Sequence, residues 1–86
     1  MDQVTVIKEY IGYRTGEKNR GKQQVFLAQF NEGLGAFKVS RQTFCKWNMG
    51  KGRPDKRTLR QAVAVYPADD PRHLFAVEML RVCWGE

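Results

Sequence analysis

VSRQTFCKWNMGKGRPDKRTLRQAVAVYP, residues 39–67, decides how this chain is to be read. Ser40 has the residue type and position of a helix N-cap, whose hydroxyl accepts a bond from the backbone N–H of Gln42 or Thr43. A helix from Arg41 to Met49 then stops at Gly50, because glycine tolerates the left-handed conformation found just past helix ends. At about 100° per residue, Phe44 and Trp47 point one way, with Arg41 and Asn48 on their flank. Gln42, Lys46 and Met49 point the opposite way, with Thr43 and Cys45 at the sides. The spacing describes a short helix with a two-aromatic anchor behind and a polar, basic face in front. Pro54-Asp55 then starts another helix, whose inner stripe is Leu59, Ala62, Val63 and Tyr66, and Pro67 closes it.

Working outward, Val4, Ile7 and Ile11 fall at i, i+3 and i+7 beside Tyr10, one helical stripe. The alternation Val4, Val6, Lys8, Tyr10 is a weaker strand template. Gly12 and Gly16 weaken the end of this first helix, and RTGEKNRGK reads as a turn-forming basic linker. Phe26, Leu27, Phe30 and Leu34 mark a second helix ending near Gly33 or Gly35. Asp70-Pro71, an acid cap with proline at the first helical position, opens a fifth helix over about 71–84. The expectation is a single all-α domain over residues 1–86, a small five-helix bundle. The sequence contains no internal repeat and no low-complexity segment.

The formal charge of +6 comes from 15 Lys/Arg against 9 Asp/Glu in 86 residues, and it is unevenly spread. Residues 41–61 hold Arg41, Lys46, Lys51, Arg53, Lys56, Arg57 and Arg60 against Asp55 alone, a balance of +6. The flanking segments cancel, at +2 before the window and −2 after it. Solvated helix faces usually mix signs. A concentrated basic block points to a polyanion, nucleic acid first, with an acidic protein surface or a membrane as alternatives.

A chain this short buries only about 60–65% of its unfolded surface, which excludes a multi-domain enzyme with a deep cleft between lobes. Its apolar runs fall far short of the roughly 20 residues that span a bilayer. No helix joins a Lys/Arg-rich face to a broad apolar one, so no membrane partner is expected. MDQVTVIKEY opens with an acid and lacks an apolar signal core, so a cytoplasmic protein is expected. Cys45 and Cys83, 38 residues apart and outside any CxxC, read as free thiols. Together with His73 they fall short of the about four ligands a structural zinc site needs, and neither metal nor cofactor is expected. His73 has the place of a surface or capping residue. No serine or cysteine nucleophile has a base nearby in sequence, and Asp69 and Asp70 read as helix caps, so an enzyme is not expected.

The run 39–67 resembles the Cro/repressor-type (Xre-like) helix-turn-helix family, which reads V-S-x-x-T-[IV]-x-x-W-E-x-G-x-x-x-P-x-x-x-x-L. Val39, Ser40, Thr43, Phe44, Trp47, Gly50, Pro54 and Leu59 occupy that spacing, and Gln24 with Leu27-Ala28 is similar to the family's Q-x-x-L-A at the start of its second helix. The likeness covers residues 22–66 firmly and the first helix loosely. Ten residues, Gln29 to Lys38, separate Ala28 from Val39 where the family has about six, so FNEGLGAFK reads as inserted material. Asn48 stands where the family often has Glu, and Cys45 and Met49 make the outer face less polar. The tail YPADDPRHLFAVEML is similar to those of phage-like or mobile-element regulators.

The resemblance and the residues imply a sequence-specific, repressor-like regulator that places the helix after Ser40 in the major groove of double-stranded DNA. Arginine suits the O6/N7 edge of guanine and glutamine the N6/N7 edge of adenine. Arg41, Gln42 and Lys46 are the expected base readers, and Gln24, Ser40, Thr43, Lys51, Arg53, Lys56 and Arg57 the phosphate contacts. Lys18, Arg20 and Lys22 are further candidates in the basic linker. The alternative is a small phage-type factor that uses the same helices to bind the transcription machinery. On the fifth helix, Phe75, Ala76, Val77, Met79, Leu80, Val82, Cys83 and Trp84 spread over about 220°, where a surface helix needs a stripe of little more than about 100°. That width predicts a homodimer through Val77, Leu80 and Trp84, helix-turn-helix proteins often pairing across half-sites. The competing expectation is that the second helix and its insertion cover the extra face.

Overall fold

The computed structural model describes residues 2–11 and 20–86, with the side chains of 20–22 left aside. It is all-α: α1 (Gln3–Ile11), α2 (Arg20–Asn31), a 3-10 turn (Gly35–Phe37), α3 (Arg41–Asn48), α4 (Lys56–Val65) and α5 (Pro71–Trp84). Lys18 lies outside the described residues, as does most of the expected linker; its last three residues, 20–22, belong to α2.

Local chemistry sets most helix ends. The Asp2 carboxylate accepts the Thr5 N–H at 2.8 Å ahead of α1, and this bond holds its carboxyl below the usual range. Val6 and Ile7, neighbours in sequence, are both fully buried on the inner side of the helix, where a strand would send them to opposite faces. Asp55 caps α4 through the Arg57 N–H at 2.7 Å. Asp70 caps α5 through the Arg72 N–H at 2.8 Å, and Pro71 takes the first helical position, where a missing N–H costs nothing. Gly85, at φ 70°, ends α5.

α2 stops at Asn31, two residues or more before the expected glycines, for tertiary reasons. The Tyr66 hydroxyl from the end of α4 donates to the Phe30 carbonyl and accepts the Gly33 N–H at 2.9 Å. It therefore satisfies a carbonyl and an amide that a longer helix would have paired. The Asn31 amide then clasps Val39, donating to its carbonyl at 2.9 Å and accepting its N–H at 2.8 Å. This clasp closes residues 32–38 into a compact excursion, and Leu34, beyond the helix, is 1% exposed. Gly33 lets the excursion lie against α4: a Cβ there would stand 3.1 Å from the Tyr66 ring and 3.2 Å from Val65.

The core is one continuous cluster, with Phe75 of α5 at an aromatic junction. Its ring meets Tyr10 of α1 at 5.5 Å and Phe26 and Phe30 of α2 at 5.0 and 5.4 Å, all edge-on. Phe26 also stacks on Phe44 of α3 at 6.0 Å, which transmits the position of α3 to the centre of the molecule.

The wide apolar arc of α5 is covered inside the chain. α4 packs along one side of it and α1 along another. Leu80 is half-buried against the core; Trp84 is half-buried too, its indole N–H donating to the Pro54 carbonyl at 2.8 Å. The arc therefore gives no argument for a second copy. Of the three residues expected at a dimer interface, only Val77 is exposed, and Leu74 is exposed as well. The second helix contributes only part of the cover, through the Phe26 and Phe30 rings against Phe75; α1, from the other end of the sequence, and α4 supply most of it.

Candidate nucleic-acid interface

α3 is presented by a cap at each end and an anchor behind. Ser40 Oγ accepts the Thr43 N–H at 3.1 Å and donates to Thr43 Oγ1 at 2.9 Å, so the two hydroxyls expected to face phosphate also hold each other. At the far end Gly50, at φ 70°, gives its N–H to the Trp47 carbonyl at 3.1 Å, and Lys51 N–H reaches the Lys46 carbonyl at 3.0 Å. This paired arrangement is the Schellman motif. Phe44 and Trp47 are each 3% exposed, with ring centroids 5.8 Å apart. Every other α3 side chain but Asn48 is exposed. Asn48 is half-buried: its amide donates to the Phe44 carbonyl at 2.7 Å and its Oδ1 accepts from Gln23 Nε2 at 3.5 Å.

Arg41, Gln42, Cys45 and Phe44 share a groove of about 380 Å³ with Gln23, Gln24 and Leu27 of α2. Gln24 is thus brought beside the expected base readers, with a correction to its setting. α2 begins at Arg20, so Gln24 lies in its second turn rather than at its start, and the free N–H groups of a helix N-terminus are not adjacent to it. Lys46 is exposed on α3, and Lys51 is exposed on the turn that follows.

The remaining cations form a second cluster. Arg53, Asp55, Lys56, Arg57, Arg60 and Trp84 line a shallow basin of about 610 Å³ at the start of α4. The Arg53 guanidinium lies 4.3 Å from the Trp84 ring centre and donates to the Cys83 carbonyl at 3.1 Å. The Lys56 ammonium is 5.0 Å from the same ring. Arg60 pairs with the Glu86 carboxylate at 2.6 Å. Arg60 is not among the expected phosphate contacts, although Lys56 and Arg60 stand four apart on one helix and so share a face. Nothing local could have placed Trp84 beneath them.

Gln3 joins the two regions. Its Nε2 donates to the carbonyls of Trp47, at 2.9 Å, and Gly52, at 2.6 Å. Its Oε1 accepts from the Cys83 thiol at 3.3 Å. Burial pushes the Cys83 thiol up, opposed by Arg53 nearby. The end of α3 is thereby tied through Gln3 and Cys83 to Arg53 and the basin.

Away from these cations in the sequence, Arg72 bridges Asp70 at 2.7 Å and Glu32 at 3.0 Å, with its guanidinium 3.9 Å from the Tyr66 ring centre. The Arg72 side chain and N–H hold the Asp70 carboxyl down at about 2. His73 Nδ1 lies 3.0 Å from the Tyr66 carbonyl, at the end of α4. Among the described residues no three His, Cys, Asp or Glu side chains gather in a group able to hold a metal. No helix among the described residues is long and apolar enough to cross a membrane. Compared with known proteins, the chain matches no family model, and no curated protein or solved structure is significantly similar to it.

Proposed function

We propose that this protein is a sequence-specific, repressor-like regulator that reads double-stranded DNA with α3. The observation that carries the reading is the presentation of α3. Two buried aromatic rings hold it from behind, while Arg41, Gln42 and Lys46 stand exposed in the window that holds the net charge. Insertion into a major groove requires both conditions, since the groove admits one helix whose side chains must reach base edges. Lys51 and the cations of the basin supply phosphate contacts, while Gln24, Ser40 and Thr43 supply neutral ones.

Selection of bound duplexes from a random pool tests the reading. An enriched sequence is expected, and Gln42→Ala should alter preference at one position of it, costing about 1–3 kcal/mol there. Unchanged affinity and preference in Gln42→Ala would remove that face from the reading. A palindrome among the selected duplexes would call for two copies of the chain, with Leu74 and Val77 the exposed apolar side chains that α5 offers to join them.

A protein-docking module for the transcription machinery is the second reading, favoured by exposed Met49 and Cys45 on the outer face of α3. Duplex binding that weakens steeply with salt belongs to the first reading. No retention on mixed duplex at low salt belongs to the second.

A further inference from the structure

The cations of the basic window do not form one stripe along α3. Four of them line a basin with Trp84 at the start of α4, where the carboxylates found among the described residues are those of Asp55 and Glu86. Asp55 is committed to its helix cap, accepting the Arg57 N–H. Glu86 is different. Gly85 turns the chain back at the end of α5, and the Glu86 N–H bonds the Leu80 carbonyl at 3.3 Å. This leaves the Glu86 carboxylate on the Arg60 guanidinium. An oxyanion already occupies one of the four cations.

We propose that this basin is a phosphodiester site for the DNA backbone, that Arg60 is one of its ligands, and that Glu86 is an internal competitor which the phosphate displaces. The proposal rests on the reading of α3 as a DNA-binding helix. The chain Trp47–Gln3–Cys83–Arg53 links the basin to the end of that helix through two intervening residues. A guanidinium N–H binds a phosphate oxygen and a carboxylate oxygen through the same charge-assisted bond, so the single Arg60 Nη2–Glu86 Oε1 contact marks where a phosphate oxygen would sit. Trp84 is a positioning residue: its ring centre lies within 5.0 Å of both the Arg53 and Lys56 cations, and its own N–H is spent on Pro54. Because ring and cations are assembled beforehand, less side-chain freedom is lost when the phosphate arrives.

The test measures binding of mixed-sequence duplex and of the selected duplex by the full chain across a salt series. Arg60→Gln should weaken both duplexes about equally and lower the salt slope by about one unit. Glu86→Gln should tighten both by about two- to fivefold, the range expected for releasing an exposed ion pair. Trp84→Leu, which keeps apolar volume but removes the ring face, should lower the salt slope, whereas a residue that only filled space would leave it unchanged. Unchanged slope and affinity in Arg60→Gln, or no tightening in Glu86→Gln, would overturn the basin. If Gln42→Ala still altered sequence preference, the reading of α3 would stand without it. No binding of the unmodified chain to any duplex at low salt would overturn both. Binding to polyglutamate alone, lost in Arg60→Gln, would assign the basin to an acidic protein and overturn the phosphate proposal.

Discussion

α3 and α5 are held in opposite ways. α3 buries two aromatic side chains, leaves nearly all the others exposed, and has both ends finished by residues within three positions of it. α5 is apolar over most of its circumference; it is covered by α1 and α4, and its Phe75 meets rings from α1 and α2. A helix designed to face outward needs only a narrow anchor and local caps. A helix at the centre draws its partners from every other part of the chain. The contrast also explains why the apolar width of α5 misleads when taken as a sign of a second copy: apolar width measures how much cover a helix needs, not whose cover it is.

The comparison breaks first at Phe75. Phe75→Ala should cost about 3–5 kcal/mol in urea unfolding, since a ring 0% exposed is removed from contact with three others. A loss under about 1 kcal/mol would show that α5 is not central to the core. Tyr66→Phe comes next. It keeps the ring but strips the hydroxyl from Phe30 O and Gly33 N, and about 1–3 kcal/mol should be lost by the same measurement. Ser40→Ala sharpens the other side of the contrast. Loss of the α3 cap should cost about 1 kcal/mol, and Ser40→Asp should restore most of it, as a purely local device allows. The smallest effect is in acid. Asp70 titrates at about 2 in the folded chain against about 3.9 when unfolded. The stability it contributes is fully present above pH about 4 and is lost as pH falls through about 2. Asp70→Asn, which can still cap α5, should flatten that part of a melting-temperature profile against pH; an unchanged profile would detach Asp70 from acid stability.

Each region was legible to a different degree. Ser40, Gly50, Pro54-Asp55 and Asp70-Pro71 announce their helix ends because a cap is made of hydrogen bonds between residues two to five apart. Phe44 and Trp47 announced the inward face of α3 because both lie on one side of a short helix. The end of α2 was misplaced because what stops it is a hydroxyl on Tyr66, 36 residues from Phe30. Gln24 was set too near the start of its helix because Arg20–Lys22, in a glycine-bearing basic run, read as linker although they are helical.

By itself the sequence determined an all-α chain, the order and approximate bounds of five helices, the anchored face of α3, and a basic window holding the net charge. These follow from backbone bonds and side-chain periods that repeat within one or two helical turns. Only the tertiary structure decided that α1 and α4 cover α5, and that the basic window divides between the α3 surface and a basin around Trp84. Only it showed that Gln3 links the two through a thiol 80 residues away. Those outcomes depend on which apolar faces meet when the core closes. No periodicity in the chain encodes such a choice, because packing is satisfied by shape and burial whatever the separation in sequence.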